Sequence, residues 1–230
     1  PVDSLPRSPI PGEQMNAELN QYIENISSAE IASVVRQVLQ DDQVALKLLD
    51  WPAAKSRHHA TIGGLLQHIL ELLKLSSVVS EIYSDIDRDL LVAGCILHDI
   101  GKIIELGVGN DFYYTAEGTM VGHIVLGDEI VTRACQSQNC SQETTLRLRH
   151  MVLSHHGEKE WGAPVVPCTA EAMALHHLDQ ISSQVTQVVK ALNRSTPNSA
   201  NVELSAWDRQ WGRTWFIGQA DKTSRNEGGG

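Results

Sequence analysis

Apolar residues recur through the first fifty positions at intervals of three and four, the spacing of one helix face. After Met15, Leu19, Tyr22, Ile23 and Ile26 make one stripe. Ile31, Val34, Val35, Val38 and Leu39, then Val44, Leu46, Leu48 and Leu49, extend it until Pro52 stops the run. The next helix is predicted to open at Lys55–Ala60, with Gly63 and Gly64 near its start. Glycine is a poor helix former, so the pair signals close approach of another backbone or a ligand. His68 follows on the face shared by Leu65, Leu66, Ile69 and Leu72. Asp85–Asp89 reads as a solvated connection with Asp89 as the N-cap of the helix after it. That helix is an apolar run, Leu90–Leu97, ending abruptly in His98, Asp99, Ile100, Gly101 and Lys102. Neighbouring helical positions point about 100° apart. His98 and Asp99 therefore converge only at a frayed end, which Gly101 supplies.

Ile103–Leu106 and Phe112–Thr115 read as two short extended pieces around Gly107–Asn110, in a hairpin or an irregular loop. Helices are predicted over 117–135, with His123, and over 143–154, running into His155, His156, Gly157 and Glu158. A loop with Trp161, Gly162, Pro164 and Pro167 leads to Thr169, which caps a helix through Leu192. Its apolar stripe of Leu175, Leu178, Ile181 and Val185 includes Asp179. The pattern is all-α, a compact helical domain with a short irregular C-terminal segment. Residues 1–12, holding four of the eight prolines, read as a linker, 13–200 as the domain, and 201–230 as an aromatic extension that folds back on the body.

Composition narrows the function classes. No stretch approaches the roughly 18 apolar residues of a membrane span. No basic-then-apolar leader opens the chain at Pro1, and four cysteines without CxxC spacing suit reduced thiols; both predict a cytoplasmic protein. A net charge of −10 argues against a surface that coats nucleic acid. It leaves a nucleotide substrate open, because bound divalent cations reverse the local field.

The ten histidines change the picture most: His58, His59, His68, His98, His123, His150, His155, His156, His176 and His177. One His-Asp pair reads equally well as a satisfied core histidine. Several histidines in apolar helical patterns, with carboxylates on buried stripes, point to metal, because a buried carboxylate needs a partner or an ion. The candidates are His68, His98, Asp99, His123, His155, His156 and Asp179. Imidazole with carboxylate suits Mn, Fe, Co or Ni, and also Zn, better than Ca or Mg. Seven donors exceed one four-coordinate ion but serve two that share a bridging carboxylate, an arrangement used in phosphoester hydrolysis.

In this order, the seven residues resemble the dinuclear branch of the HD-domain phosphohydrolases, an all-helical superfamily of metal-dependent phosphoesterases. The resemblance places His68, His98, Asp99 and Asp179 around one metal, with Asp99 bridging to a second held by His123, His155 and His156. Lys102 falls where relatives carry a lysine aimed at substrate phosphate; the alternative is a solvated C-terminal cap. Further segments resemble the YhaM-type 3′→5′ exoribonucleases: Pro52-Ala53-Ala54-Lys55, His58-His59-Ala60, Gly63-Gly64-Leu65, Gly122-His123-Ile124, Trp161-Gly162-x-Pro164 and Leu175-His176-x-x-Asp179. That likeness implies an exonuclease with Asp99 and Lys102 catalytic. It would act at the 3′ end of single-stranded RNA or DNA and release nucleoside monophosphates. Arg57, His58 and His59 become substrate contacts, against a solvated basic turn and helix-start packing. Relatives carry an oligonucleotide-binding barrel ahead of this domain, and residues 1–12 stand where the linker would fall. The chain is then either the catalytic part of a longer protein or a stand-alone hydrolase, and a homo-oligomer is open.

The rival readings are a cyclic-dinucleotide or nucleotide phosphohydrolase, or a non-catalytic HD scaffold or relaxase-associated domain. One cyclic-dinucleotide branch carries a Gly-Tyr-Pro signature that is absent after His156, and a complete ligand set speaks against a scaffold. Glu158 is a candidate to orient a histidine ring, and His150, His176 and His177 are expected to be structural or exposed. The tail tryptophans either stack bases or pack on the core.

Overall fold

The computed structural model describes residues 5–55, 60–194 and 203–218. The expected substrate contacts Arg57, His58 and His59 lie outside the described residues. The chain divides into two units, Pro1–Ser183 and Gln184–Gly230.

The first unit is helical, as the periodicity predicts. Its helices are α1 (Gly12–Glu24), α2 (Ala29–Gln40), α3 (Asp42–Ala45), α4 (Gly64–Ile82), α5 (Arg88–Leu97), α6 (Lys102–Glu105), α7 (Ala116–Met120), α8 (His123–Ser137), α9 (Gln142–Ser154) and the start of α10 (Ala170–Arg194). The only sheet among the described residues is a hairpin of β1 (Leu106–Val108) and β2 (Phe112–Tyr114), with Leu106 opposite Tyr114. The core centres on α5, whose residues Leu90–Leu97 are all buried. α4, α2 and α9 pack around it, and α8 packs on α9, α2 and α6. Among the described residues no helix is long and apolar enough to cross a membrane.

Several local expectations are corrected. Ile103–Glu105 is not extended; it completes α6, and only from Leu106 does the chain pair as a strand. The helix expected from Lys55 begins instead at Gly64, behind Gly63 at φ 78°, and Ile62 bridges Arg7 in the segment read as linker. The helix expected over 117–135 breaks at Gly122, φ 80°, which starts α8 on His123. Leu46 stands 83% exposed and Ile181 47% exposed, off the stripes assigned to them. Asp87, not Asp89, caps α5 by accepting from the Leu90 amide at 3.0 Å. The Asp89 carboxylate instead accepts the amides of Ser27 and Ser28, at 2.9 and 2.7 Å. Thr169 caps α10 as predicted, accepting from the Ala172 amide at 3.1 Å.

In the second unit, residues 203–218 close on themselves through bridges Leu204–Phe216 and Asp208–Arg213. The Trp215 indole donates to the Asp208 carboxylate at 3.1 Å and meets Trp211 edge-on.

Candidate metal centre

α4, the α5–α6 turn, the start of α8, the end of α9 and α10 each deliver donors to one buried place. His68, His98 and Asp179 bring one donor atom each within 4.8 Å of one another, and His123, His155 and His156 form a second such group. Asp99 stands between the groups. Its Oδ2 is 3.3 Å from His98 Nε2 and 3.7 Å from His68 Nε2. Its Oδ1 is 3.6 Å from both His123 Nε2 and His155 Nε2.

The turn works because α5 ends at Leu97, so His98 and Asp99 leave the helical register. Gly101 has a different role from the predicted end-cap: its φ is −62°, an ordinary helical value. A Cβ there would lie 2.0 Å from the His123 carbonyl oxygen, so glycine lets the α8 backbone cross directly over the turn. The Trp51 indole ties the turn from outside, donating to the Lys102 carbonyl at 3.0 Å.

All five histidine rings of the site are held the same way. His98 Nδ1 meets the Cys95 carbonyl at 3.0 Å and His155 Nδ1 the Val152 carbonyl at 2.7 Å. His156 Nδ1 meets the Trp161 carbonyl and His123 Nδ1 the Glu105 carboxylate, both at 2.9 Å. His68 Nδ1 meets Ser182 Oγ at 2.9 Å; that hydroxyl gives its proton to Glu71 Oε2, so it accepts from the ring. In each ring's neutral form the acceptor at Nδ1 places the proton there and leaves the Nε2 lone pair facing the centre. Such outer partners fix the tautomer and aim of metal-ligating histidines.

Two consequences show that the donor set fits a metal. His68 Nε2 and His98 Nε2 face each other at 3.3 Å, with Asp179 Oδ1 only 3.2 Å from the former. Two nitrogens each roughly 2.1 Å from one tetrahedral ion lie roughly 3.4 Å apart, so the spacing of this pair is the one a shared cation requires. In the second group, His123 Nε2 and His155 Nε2 are buried with no hydrogen-bond partner among the described residues, a costly arrangement that an ion satisfies.

The electrostatics divide the rings. Burial pushes the His155 imidazole well below its ordinary value, aided by its neighbouring rings, and burial also lowers His68 and His156. These three rings are neutral at pH 7. His98 shifts the other way: burial opposes its charged form, but the Asp99 carboxylate beside it raises the ring above its ordinary value, the response of an imidazole facing an anion where a cation would stand. Burial would raise the Asp99 carboxyl, but Lys102 and His98 overcome it and hold Asp99 well below the carboxylate range. Burial likewise opposes the Lys102 ammonium, yet Asp99 in contact keeps it above the ordinary lysine value. Lys102 Nζ lies 2.6 Å from Asp99 Oδ2 with 13% of its side chain exposed, at the edge of the centre and not in solvent as a helix cap.

Glu105 was not singled out from sequence. It accepts from both the ring and the backbone amide of His123, at 2.9 and 3.1 Å. A carboxylate ending the apolar turn Ile103-Ile104 was the available signal. Glu158 is exposed and does not orient a ring; the Trp161 carbonyl does so for His156. Glu105→Gln is expected to weaken Mn²⁺ binding by the His123 group about 10- to 100-fold. Calorimetric titration would show the change in one class of site; unchanged binding of both would remove Glu105 from this role.

The HD domain family matches residues 65–184. Over 208 residues the chain is 35% identical to a protein named 3′-5′ exoribonuclease YhaM from Bacillus licheniformis, covering 90% of this chain and 66% of that protein, just short of two thirds of its length. No solved structure matches. The family match opens on the turn before His68 and closes beyond Asp179, enclosing every donor of the centre, and the chain belongs to the HD-domain family.

Proposed function

We propose that this chain is a metal-dependent phosphodiesterase that removes nucleotides from the 3′ end of single-stranded RNA, and that its centre holds two divalent transition metals such as Mn²⁺. The observation that carries the reading is the single carboxylate, Asp99, with one oxygen towards each histidine group. Likeness to an exoribonuclease of the same family supports the choice of RNA over other phosphodiesters.

His68, His98, Asp179 and Asp99 would hold one ion, and His123, His155, His156 and Asp99 the other. Bound divalent ions supply Lewis acidity: they make water nucleophilic at neutral pH and neutralise phosphoryl oxygens. The chain's own residues do the rest. Glu105, Ser182 with Glu71, and the carbonyls of Cys95, Val152 and Trp161 hold each ring in the ligating tautomer. Lys102, kept charged by Asp99 yet partly open, offers an ammonium to a non-bridging phosphate oxygen. His98 and Asp99 are buried, as are Leu97, Ile100 and Ile103 around them in the chain, so these charges act in a low dielectric and are worth more than in water.

The test is a 5′-labelled single-stranded RNA incubated beside a cyclic dinucleotide, with Mn²⁺ and with chelator. The expected result is a Mn²⁺-dependent ladder that shortens from the 3′ end and stops with chelator. Cleavage of the cyclic dinucleotide alone, or of neither, would reject the exoribonuclease reading.

A further inference from the structure

We propose that His176, which the sequence suggests is merely structural or exposed, is the positioning residue for one of the two ligand groups. It would act by clamping the turn that carries His155 and His156, an inference that rests on the metal-centre reading above.

α9 ends at Ser154, so both ligands sit past the helix, where the last carbonyls have no intrahelical donor. The turn satisfies most of these itself. The Gly157 amide takes the Ser154 carbonyl at 2.8 Å, the Glu158 amide the His156 carbonyl at 3.0 Å, and His155's own ring the Val152 carbonyl at 2.7 Å. The His155 carbonyl is left for another element, and His176 on α10 supplies the donor, Nδ1 to oxygen at 2.9 Å in a buried contact.

The rest of the His176 ring is held just as closely. Gly157, at φ +82°, lies flat against it: a Cβ there would fall 2.3 Å from Cε1 and 2.5 Å from Nδ1. The Trp161 ring lies 5.9 Å away centroid to centroid, inclined 34°. The backbone of that same Trp161 accepts from His156 Nδ1. One imidazole therefore touches the carbonyl of His155, the residue after His156, and the residue that orients the His156 ring. His176 belongs to neither donor group, so its effect on metal passes through geometry alone. Because α10 also carries Asp179, one turn further on, the same helix sets both groups.

A structural role and a positioning role differ in what they spare. Mn²⁺ binding is titrated calorimetrically into the apo protein, alongside its thermal unfolding, for the unsubstituted chain, His176→Asn, His176→Gln and Gly157→Ala. Asparagine carries its amide nitrogen where histidine carries Nδ1, whereas glutamine carries it one atom further out. The unsubstituted chain is expected to bind two equivalents, and His176→Asn to keep both within about threefold. His176→Gln and Gly157→Ala are expected to keep one equivalent and weaken the other about 10- to 100-fold. Gly157→Ala presses on the ring without altering His176 itself, so it tests the clamp even if His176→Gln does not fold. Two equivalents bound equally well by all four proteins, or parallel weakening of both sites with a lowered unfolding temperature, would overturn the positioning role. Failure of the unsubstituted chain to bind two equivalents would instead overturn the metal-centre reading itself.

Discussion

Asp99→Asn is expected to lower phosphodiester hydrolysis by about 100- to 1,000-fold, the cost of removing one well-aimed charge-stabilising group from a dry site. The same change should reduce Mn²⁺ binding in both classes of site at once. An amide has one acceptor oxygen and one donor nitrogen, so only one of its two ends can face an ion. In the native protein Oδ2 lies towards His68 and His98 while Oδ1 lies towards His123 and His155. Whichever way the amide turns, one histidine group meets N–H protons and the bridging negative charge is gone. The apo protein should also lose stability, because Lys102 at 2.6 Å would lose its counter-charge. Stranding a buried partner costs roughly 3–5 kcal/mol, and the partly open Lys102 places this case at or below the lower end. Calorimetric Mn²⁺ titration and single-turnover hydrolysis decide it: two equivalents retained with activity within tenfold would remove Asp99 from the centre.

What could be read from the chain, and what could not, follows from how local each signal is. The helices announce themselves through their period. Histidines among leucines and isoleucines announce themselves because an unpaired polar ring does not belong there. The partners that aim those rings carry no such mark. Ser182 looks like any serine on a helix, and it meets His68 across 114 positions. The Cys95, Val152 and Trp161 contacts are backbone carbonyls, which no residue type encodes. Asp87 and Asp89 are equally good caps by local rule. The choice falls to tertiary structure, because the Ser27 and Ser28 amides claim Asp89. Ile103 and Ile104 favour a strand by propensity, yet the turn that aims Asp99 and Lys102 continues into α6 and carries them with it.

Gly101→Ala should be among the most destabilising single-methyl additions in this chain, and comparison with Gly94→Ala shows why. Both glycines lie in the buried segment around His98, and both are tight: a Cβ at Gly94 would lie 2.3 Å from Met151 Cε, one at Gly101 2.0 Å from the His123 carbonyl oxygen. The obstacles differ in kind. Met151 Cε is the end of a flexible, unbranched side chain that can swing to another rotamer. At Gly101 the methyl also meets the Gly127 amide nitrogen at 2.6 Å, so it presses on the backbone of α8 at two successive turns. Relief requires α8 to move as a body, and α8 carries His123 at its first position while Arg149 pins it to α9 through both oxygens of Asp128, each at 2.7 Å. Overpacking a core costs about 1–3 kcal/mol where side chains can adjust, and a rigid backbone contact belongs at or beyond the upper figure. For a domain of this size about 3 kcal/mol corresponds to a fall of roughly 6–12 °C in unfolding temperature. Gly94→Ala should cost about 1 kcal/mol, at the low end of the same range. The displacement of His123 gives Gly101→Ala a second signature, weaker binding at the His123, His155 and His156 group under conditions where the protein is still folded. Equal unfolding temperatures for the two variants would show that the crossing of α8 over the Asp99 turn is not the constraint that keeps glycine at position 101.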